Sequence, residues 1–459
     1  MRAVENSTEK TVAQHGKLLK ILGVTFGIAV TIGGMIGLGI LRTPGGVAGQ
    51  LGNFWLIMAV WMLGGLYAIL GTISVAELST SLPTAGGWYV YARRAFGDYG
   101  GFVVGWSDWL SACATISFVA ITFGEYLPKL FPALSGSINV IAFVVLFIFG
   151  ILNWLGLRVG SRVQELTSFA KAFAFLILIA ACFTYGGQPT ANAEQAALTT
   201  APLGSTAIFV AVMLALQSVI FTYDGWYTAI YFAEEDRDPA RNLPRAMLFG
   251  VVSVMAIYLL VNLAFLYVLP LSKFAASDLP AGDAAGIIFG EHGGQVISII
   301  ALVSLSSIIN INLMYCPRIL FSMSRDNLFW SKAATVNKGG TPVWALLLTV
   351  IIGIILAASG TFEILLSITS FLFVLNYTSG FLAVFILRHT EPNLPRPFKA
   401  WGYPWTTLLV LLGSLIFLIG QIISDTRNSL YAIGLIVASY PVFLITKKLK
   451  KRESQIAAE

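Results

Sequence analysis

Twelve apolar stretches, near 22–44, 53–79, 99–125, 137–154, 164–184, 206–232, 246–269, 295–320, 342–359, 363–387, 405–424 and 429–446, constrain this fold more than any other feature. Roughly 20 apolar residues cross the hydrocarbon layer of a bilayer as a helix, and backbone at that depth must find its hydrogen bonds within the protein. Hydrophobic residues are 57% of the 459 and charged residues 11%, with a mean hydropathy of +0.81, well outside the usage of a soluble globular domain. An all-α polytopic membrane protein with twelve transmembrane helices is expected. The first stretch reads as a span and not a cleaved signal peptide, because its apolar run continues past Leu41 and no small-x-small processing site precedes the next span.

Lysine and arginine fall on alternate loops. Lys10, Lys17 and Lys20 precede span 1, Arg93 and Arg94 follow span 2, Arg158 and Arg162 separate spans 4 and 5, and Arg237, Arg241 and Arg245 separate spans 6 and 7. Arg325, Lys332 and Lys338 follow span 8, Arg388, Arg396 and Lys399 follow span 10, and Lys447 through Arg452 end the series, while the opposite loops carry little beyond Lys129, Lys273 and Arg427. Both termini are therefore expected in the cytoplasm of a multi-pass cell-membrane protein. The net charge of +6 and pI near 9.1 follow from that topology and from anionic headgroups at the inner surface, so no nucleic-acid partner is read from them. Cys113, Cys182 and Cys316 sit within or at the ends of spans without C-x-x-C spacing, as small packing residues rather than metal ligands or disulfide partners. His15, His292 and His389 lie far apart in tails or loops, and no cluster in the spans offers a nucleophile, base or metal set. An enzyme is not expected, nor is a cofactor.

Two stretches are interrupted. Gly34-Met35-Ile36-Gly37-Leu38-Gly39-Ile40 places three glycines inside span 1, and Phe221-Thr222-Tyr223-Asp224-Gly225-Trp226 disturbs span 6. Glycines in a span otherwise serve close helix packing, but Asp224 beside Gly225 argues against packing alone. Non-helical backbone at membrane depth survives only around a cavity or inside protein, and paired breaks in corresponding segments point to a transport site at the midplane. At such a break, carbonyls of one half-helix and amides of the other lose their intrahelical partners. The outer half of span 1 should begin near Gly39 with amides that suit a carboxylate. Carbonyls of Met35 and Ile36, with those near Phe221 and Thr222, suit an ammonium. An α-amino acid presents both groups on one carbon, so the candidate substrate-binding residues run from Met35 through Ile36, Gly37, Leu38 and Gly39, and from Phe221 through Thr222, Tyr223, Asp224, Gly225 and Trp226.

Single side chains leave alternatives. A carboxylate within a span is paired or faces a water-filled path, so Asp224 either meets a substrate ammonium or cationic side chain, or caps amides at the start of span 6's inner half. Phe221 and Trp226 either cover the substrate or simply pack. Lys171 lies inside span 5, far from an end where it could snorkel. Its ammonium can do what a bound cation does: hold the carbonyls of a helix break and hydroxyls of a neighbouring span, for which Ser304 and Ser307 are candidates. It is also a candidate to load and release a proton during the cycle; the remaining alternative is a packed lysine reaching the inner interface. In the loops, Glu77, Glu234, Glu235, Asp238 and Arg241 suggest ion pairs that hold a gate closed, although for Glu234 and Arg241 a solvated loop accounts for the same charges.

The chain resembles the amino acid–polyamine–organocation superfamily, on the side of the bacterial relatives of the L-type amino acid transporters. Gly34 to Ile40 resembles the G-x-I-G-S/A-G-I/F stretch; Glu77-Leu78 with Pro83 and Gly86-Gly87-Trp88-Tyr89-Val90-Tyr91 is similar to AEL…P-x-x-GG-x-Y-x-Y; and Val163-Gln164 with Thr167 and Lys171 fits VQ-x-x-x-T-x-x-K. Phe221-x-Tyr223-x-Gly225-Trp226, Glu234-Glu235, Asp238-Pro239, Arg241-Asn242-Leu243-Pro244, Arg318 and Ser324-Arg325-Asp326 follow in the family's order. The resemblance implies a cytoplasmic tail over 1–21, a five-helix repeat over 22–184, a second, inverted repeat over 206–387, two further helices over 405–446 and a tail over 447–459, with alternating access around unwound spans 1 and 6. It assigns Lys171 to the position that holds sodium in sodium-coupled relatives, and Phe221 to an aromatic gate. Leu38 departs from the Ser or Ala of relatives and reshapes the pocket beside the carboxylate site. Eukaryotic L-type proteins tether an accessory glycoprotein through a cysteine between spans 3 and 4; the stretch from Tyr126 to Ser137 has none, so no disulfide-linked partner is expected.

The leading expectation is sodium-independent carriage of small neutral L-amino acids by exchange. The alternative is proton-coupled uptake of cationic amino acids or polyamines, and a channel or nutrient sensor is a third class.

Overall fold

The computed structural model describes residues 17–186, 205–359 and 362–456. Most of the N-terminal tail, with Lys10 and His15, and the loop near 187–204 lie outside the described residues. Numbered in chain order, the α-helices are α1 (Val24–Met35), α2 (Gly39–Leu51), α3 (Phe54–Ser81), α4 (Trp88–Leu130), α5 (Ile138–Trp154), α6 (Leu157–Tyr185), α7 (Ser205–Thr222), α8 (Pro239–Val268), α9 (Leu271–Ala275), α10 (Pro280–Phe289), α11 (Gly293–Arg325), α12 (Val343–Ala358), α13 (Phe362–Thr390), α14 (Trp405–Ser424) and α15 (Thr426–Ile456). Two isolated bridges, Leu22 with Asp236 and Val336 with Pro342, are the only β pairing among the described residues.

The chain is an all-α polytopic membrane protein. Eight helical segments are long and apolar enough to cross a membrane, and α1 with α2, bent by 46° at their break, make a ninth. This is fewer than the twelve spans expected. The difference lies in three shorter apolar helices, α5, the Ile208–Thr222 part of α7, and α12, which fall where the sequence analysis places spans 4, 6 and 9. With 17 and 16 residues, α5 and α12 reach only about 25 Å at 1.5 Å per residue, short of a hydrocarbon layer about 30 Å thick. The break after Thr222 cuts α7 short.

The two broken spans are enclosed by long helices. Helices α4 and α11 form the most extensive helix–helix contact, α13 lies along α4, and α8 packs on both α1 and α3. Leu409, Ile416, Ile419 and Ile423 of α14 and Val437 and Ile445 of α15 are exposed, as a lipid-facing surface requires.

The breaks form where expected. Helix α1 stops at Met35, Ile36 is extended, and α2 starts at Gly39. After α7 the chain turns through residues 223–227 and continues as a 3-10 helix, Thr228–Glu235, not as the α-helical inner half that the sequence suggested. The breaks touch at two glycines. Gly225 has φ +94°, and a Cβ there would lie 2.5 Å from the carbonyl carbon of Gly34, so only glycine lets the two backbones meet.

Candidate functional site

Lys171 is fully buried on α6, and its ammonium donates to the carbonyl oxygens of Gly33 at 2.7 Å and Ile36 at 2.6 Å. These are the carbonyls that the end of α1 leaves without helical partners. The neighbouring helix face is equally close: a Cβ on Gly33 would lie 2.1 Å from the side-chain nitrogen of Gln164 and 2.4 Å from the hydroxyl of Ser168. Ser307 joins that polar layer, accepting from Gln164 Nε2 at 3.0 Å and lying 3.3 Å from Ser168 Oγ. The anticipated contact of the lysine with the span-8 hydroxyls is therefore replaced. Ser307 belongs to Gln164 and Ser168, and among the described residues Ser304 Oγ is buried with no hydrogen-bond partner.

A residue that sequence reasoning missed ties the two breaks together. Tyr258 of α8 brings its hydroxyl 2.7 Å from the Met35 carbonyl and 3.2 Å from the Thr222 carbonyl, so its single proton is shared between the ends of α1 and α7. Of the carbonyls expected to receive a substrate ammonium, those of Met35 and Thr222 thus already face Tyr258 and that of Ile36 faces Lys171.

A cavity of about 390 Å³ opens between the breaks. Met35, Gly37, Leu38, Gly39, Phe221, Thr222 and Asp224 line it, as expected. Ile36, Tyr223, Gly225 and Trp226 do not. Ile36 is spent on Lys171, the Tyr223 hydroxyl donates to the Trp61 carbonyl, and Gly225 abuts Gly34. Trp226 is packed among Trp88, Tyr377 and Phe381, stacked on the last with centroids 6.3 Å apart. The walls that sequence did not reveal come from α4 (Thr115, Phe118, Thr122), α11 (Leu305, Ile308) and α13 (Leu366, Phe373).

The groups facing this space are of both signs. Helix α2 starts at the cavity, and among the described residues no side chain caps its first turn, so the positive end of its dipole lies at that space. Among the described residues Asp224 Oδ1 is buried without a hydrogen-bond partner. Nor, among the described residues, does a side chain cap the 3-10 helix after the break, whose N-cap is Tyr227. A second buried carboxylate, Asp108 of α4, accepts the Tyr231 hydroxyl at 2.9 and 2.8 Å, and Tyr231 stacks on Tyr315 of α11 with centroids 4.3 Å apart. This holds the inner segment of span 6 against α4 and α11.

The side carrying the arginine-rich loops is laced by ion pairs. Arg318 of α11 donates to Glu235 at 2.8 Å, both buried, and also to the Met314 carbonyl. Arg388 donates to Glu77 at 2.8 Å, with Arg396 at 3.2 Å and the Ala400 amide at 2.7 Å on the same carboxylate. Glu234 pairs with Arg325 at 2.8 Å and accepts the Ala85 amide at 3.0 Å. Arg241 instead lies 3.8 Å from Asp238 with its side chain 76% exposed, so the gate reading fits Glu234 and the solvated reading fits Arg241. At the rim, Arg93 meets Asp326 at 2.7 Å, and Arg94 beside Glu391 holds that carboxyl below its ordinary range.

Comparisons with known proteins agree with this arrangement. The chain is 29% identical over 438 residues to the serine/threonine exchanger SteT of Bacillus subtilis (strain 168), covering 94% of this chain and 98% of that protein. It is 27% identical over 436 residues to the b(0,+)-type amino acid transporter 1 of Mus musculus, covering 92% and 87%. With the large neutral amino acids transporter small subunit 2 of Homo sapiens it shares 28% over 395 residues, covering 83% and 72%. Residues 23–441 match the amino acid permease family, so a chain with two touching span breaks, a lysine on their carbonyls and a cavity bearing both charges is a member of that family, an amino-acid transporter of the amino acid–polyamine–organocation superfamily.

Proposed function

We propose that this permease exchanges small neutral L-amino acids across the cell membrane without sodium, by alternating access to the cavity between α1, α2 and α7. One observation carries the reading: a cavity that, among the described residues, places the uncapped first turn of α2 and the unpartnered Oδ1 of Asp224 around a molecule bearing a carboxylate and an ammonium. Independence from sodium is supported by Lys171, whose fixed ammonium occupies the Gly33 and Ile36 carbonyls that a cation would otherwise serve. Small substrates are favoured by Leu38 and Ile308 in the wall. The likeness to a serine/threonine exchanger supports the exchange mode. The same proposal takes the three shorter apolar helices as spans, giving twelve in all, arranged as inverted five-helix repeats over 22–184 and 206–387 with two helices over 405–446, both termini cytoplasmic and no disulfide-linked subunit.

The test is uptake of labelled serine, alanine, leucine and arginine into proteoliposomes, with and without unlabelled amino acid inside and with an imposed proton gradient. Acceleration by internal neutral amino acid, indifferent to the gradient and to sodium, is expected. Gradient-driven accumulation of arginine into empty vesicles would replace exchange with proton-coupled uptake of cationic substrates.

A further inference from the structure

A second cavity, about 340 Å³, adjoins the first and shares Arg42, Thr43 and Ser218 with it. Its far wall is the segment 275–278 between α9 and α10. Close backbone approach seats that wall on α2: a Cβ on Gly45 would lie 2.1 Å from the Ser277 carbonyl oxygen, and one on Gly49 would lie 2.9 Å from that of Ala275. Arg42, Gly45 and Gly49 follow one another at three- and four-residue steps, which put them on one helix face. The contact that fixes the loop therefore also turns Arg42 toward it.

Two charges of opposite sign face this space. Arg42 and Asp278 are both exposed and both line the cavity. Among the described residues neither has an ion-pair partner within 4.0 Å. The neighbouring acid, Asp283, is occupied by the Ser277 hydroxyl. Beyond Arg42, the Thr43 hydroxyl meets that of Thr222 at 3.0 Å, so the passage to the inner cavity is polar.

We infer that this outer cavity is a second amino-acid site, in which Arg42 takes the α-carboxylate and Asp278 the α-ammonium of a zwitterion before it moves to the inner cavity. The inference rests on the proposed transport of neutral amino acids and adds a specificity element to it. A substrate with a cationic side chain meets the Arg42 guanidinium with like charge, whereas a zwitterion satisfies both walls.

The experiment is serine uptake and efflux in intact cells expressing the full chain as wild type, Arg42→Gln, Asp278→Asn and Arg42→Lys. External KM should rise about three- to fivefold in the Gln and Asn variants, the scale of an exposed ion pair. In Asp278→Asn, whose side chain lines only the outer cavity, maximal uptake and the half-saturation of efflux should stay unchanged, and Arg42→Lys should keep an external KM close to wild type. Arginine should compete with serine better in Arg42→Gln than in wild type. Unchanged external KM in both variants would overturn the inference, as would parallel loss of uptake and efflux, which marks a structural role. Failure of the wild type to exchange serine would instead overturn the proposed function and leave a distinct signature, since all four proteins would then fail alike.

Discussion

The two sides of the broken spans differ in whether their polar groups have partners. On the cavity side, among the described residues, Asp224 Oδ1 is buried and unpaired, α2 begins without a side-chain cap, and Arg42 lies outside every ion pair. On the arginine-rich side, Glu77, Glu234, Glu235, Asp326 and Glu391 each meet an arginine. A buried polar group without a partner costs about 1–3 kcal/mol. Among the described residues, the Asp224 oxygen at the cavity is thus left to such a cost, while the five carboxylates of the arginine-rich side are held by arginines. Under the alternating access proposed above, the arginine-paired side must come apart once substrate is bound, so the strength of its pairs sets how much a bound substrate must contribute.

The largest expected effect breaks the arginine-paired side at its centre. Arg318→Ala strands the Glu235 carboxylate in a site where the two side chains are 3% and 0% exposed. Removing one member of such a pair costs about 3–5 kcal/mol, so the melting temperature in detergent should fall clearly and exchange should be lost. The double variant Glu235→Leu with Arg318→Met should recover most of the melting temperature without recovering exchange. A single variant that melts like wild type would mean that this pair does not hold that side together.

Lys171 comes next, because it is the one charge that stabilises the break itself. Lys171→Ala removes two charge-assisted bonds to α1 carbonyls, each worth about 1.5–3 kcal/mol. Exchange should drop at least about tenfold, a loss of roughly 1.4 kcal/mol or more. If the ammonium stands in for a cation, the residual transport should become stimulated by sodium relative to choline, while wild type stays indifferent. Full activity in Lys171→Ala would remove the lysine from the mechanism. Tyr258→Phe is milder: it takes one hydroxyl from the Met35 and Thr222 carbonyls, about 1 kcal/mol. Serine KM should rise about fivefold at a nearly unchanged melting temperature, a split that a purely structural tyrosine would reverse.

These residues also mark what the sequence could convey. The breaks were legible because glycines and an Asp-Gly pair violate the composition of an apolar span, and Lys171 because a charge there is conspicuous against its neighbours. Tyr258 and Asp108 were not, since their roles depend on which face of α8 or α4 turns toward a break, and nearly continuous apolar spans carry little periodicity to reveal it. The same blindness leaves Trp226 undecided in sequence between covering the substrate and packing; in the structure it packs against Trp88 and Phe381. That α5, α7 and α12 are shorter than the other spans is not legible either, because an apolar run does not report where a turn ends it. The 3-10 form of Thr228–Glu235 has no sequence mark, being fixed by contacts such as Tyr231 with Asp108.

The smallest effect sharpens the comparison at the rim of the arginine-paired side. Arg94 and Glu391 pair there with side chains 54% and 27% exposed, so solvent screening limits the pair to about 1 kcal/mol or less. The hydrogen bond from Arg94 is the chief cause that keeps the Glu391 carboxyl below its ordinary value. A carboxyl with a lowered folded-state pKa contributes its stability above the unfolded value, about 4.3 for glutamate, and loses it as pH falls through the lower folded value. Glu391→Gln should therefore melt slightly below wild type near neutral pH, and the gap should close as the pH is brought below about 4. A gap as large as that of Arg318→Ala would make the rim, not the buried Glu235 pair, the main hold on that side; a gap that widened on acidification would show that the carboxyl is not held by Arg94 at all.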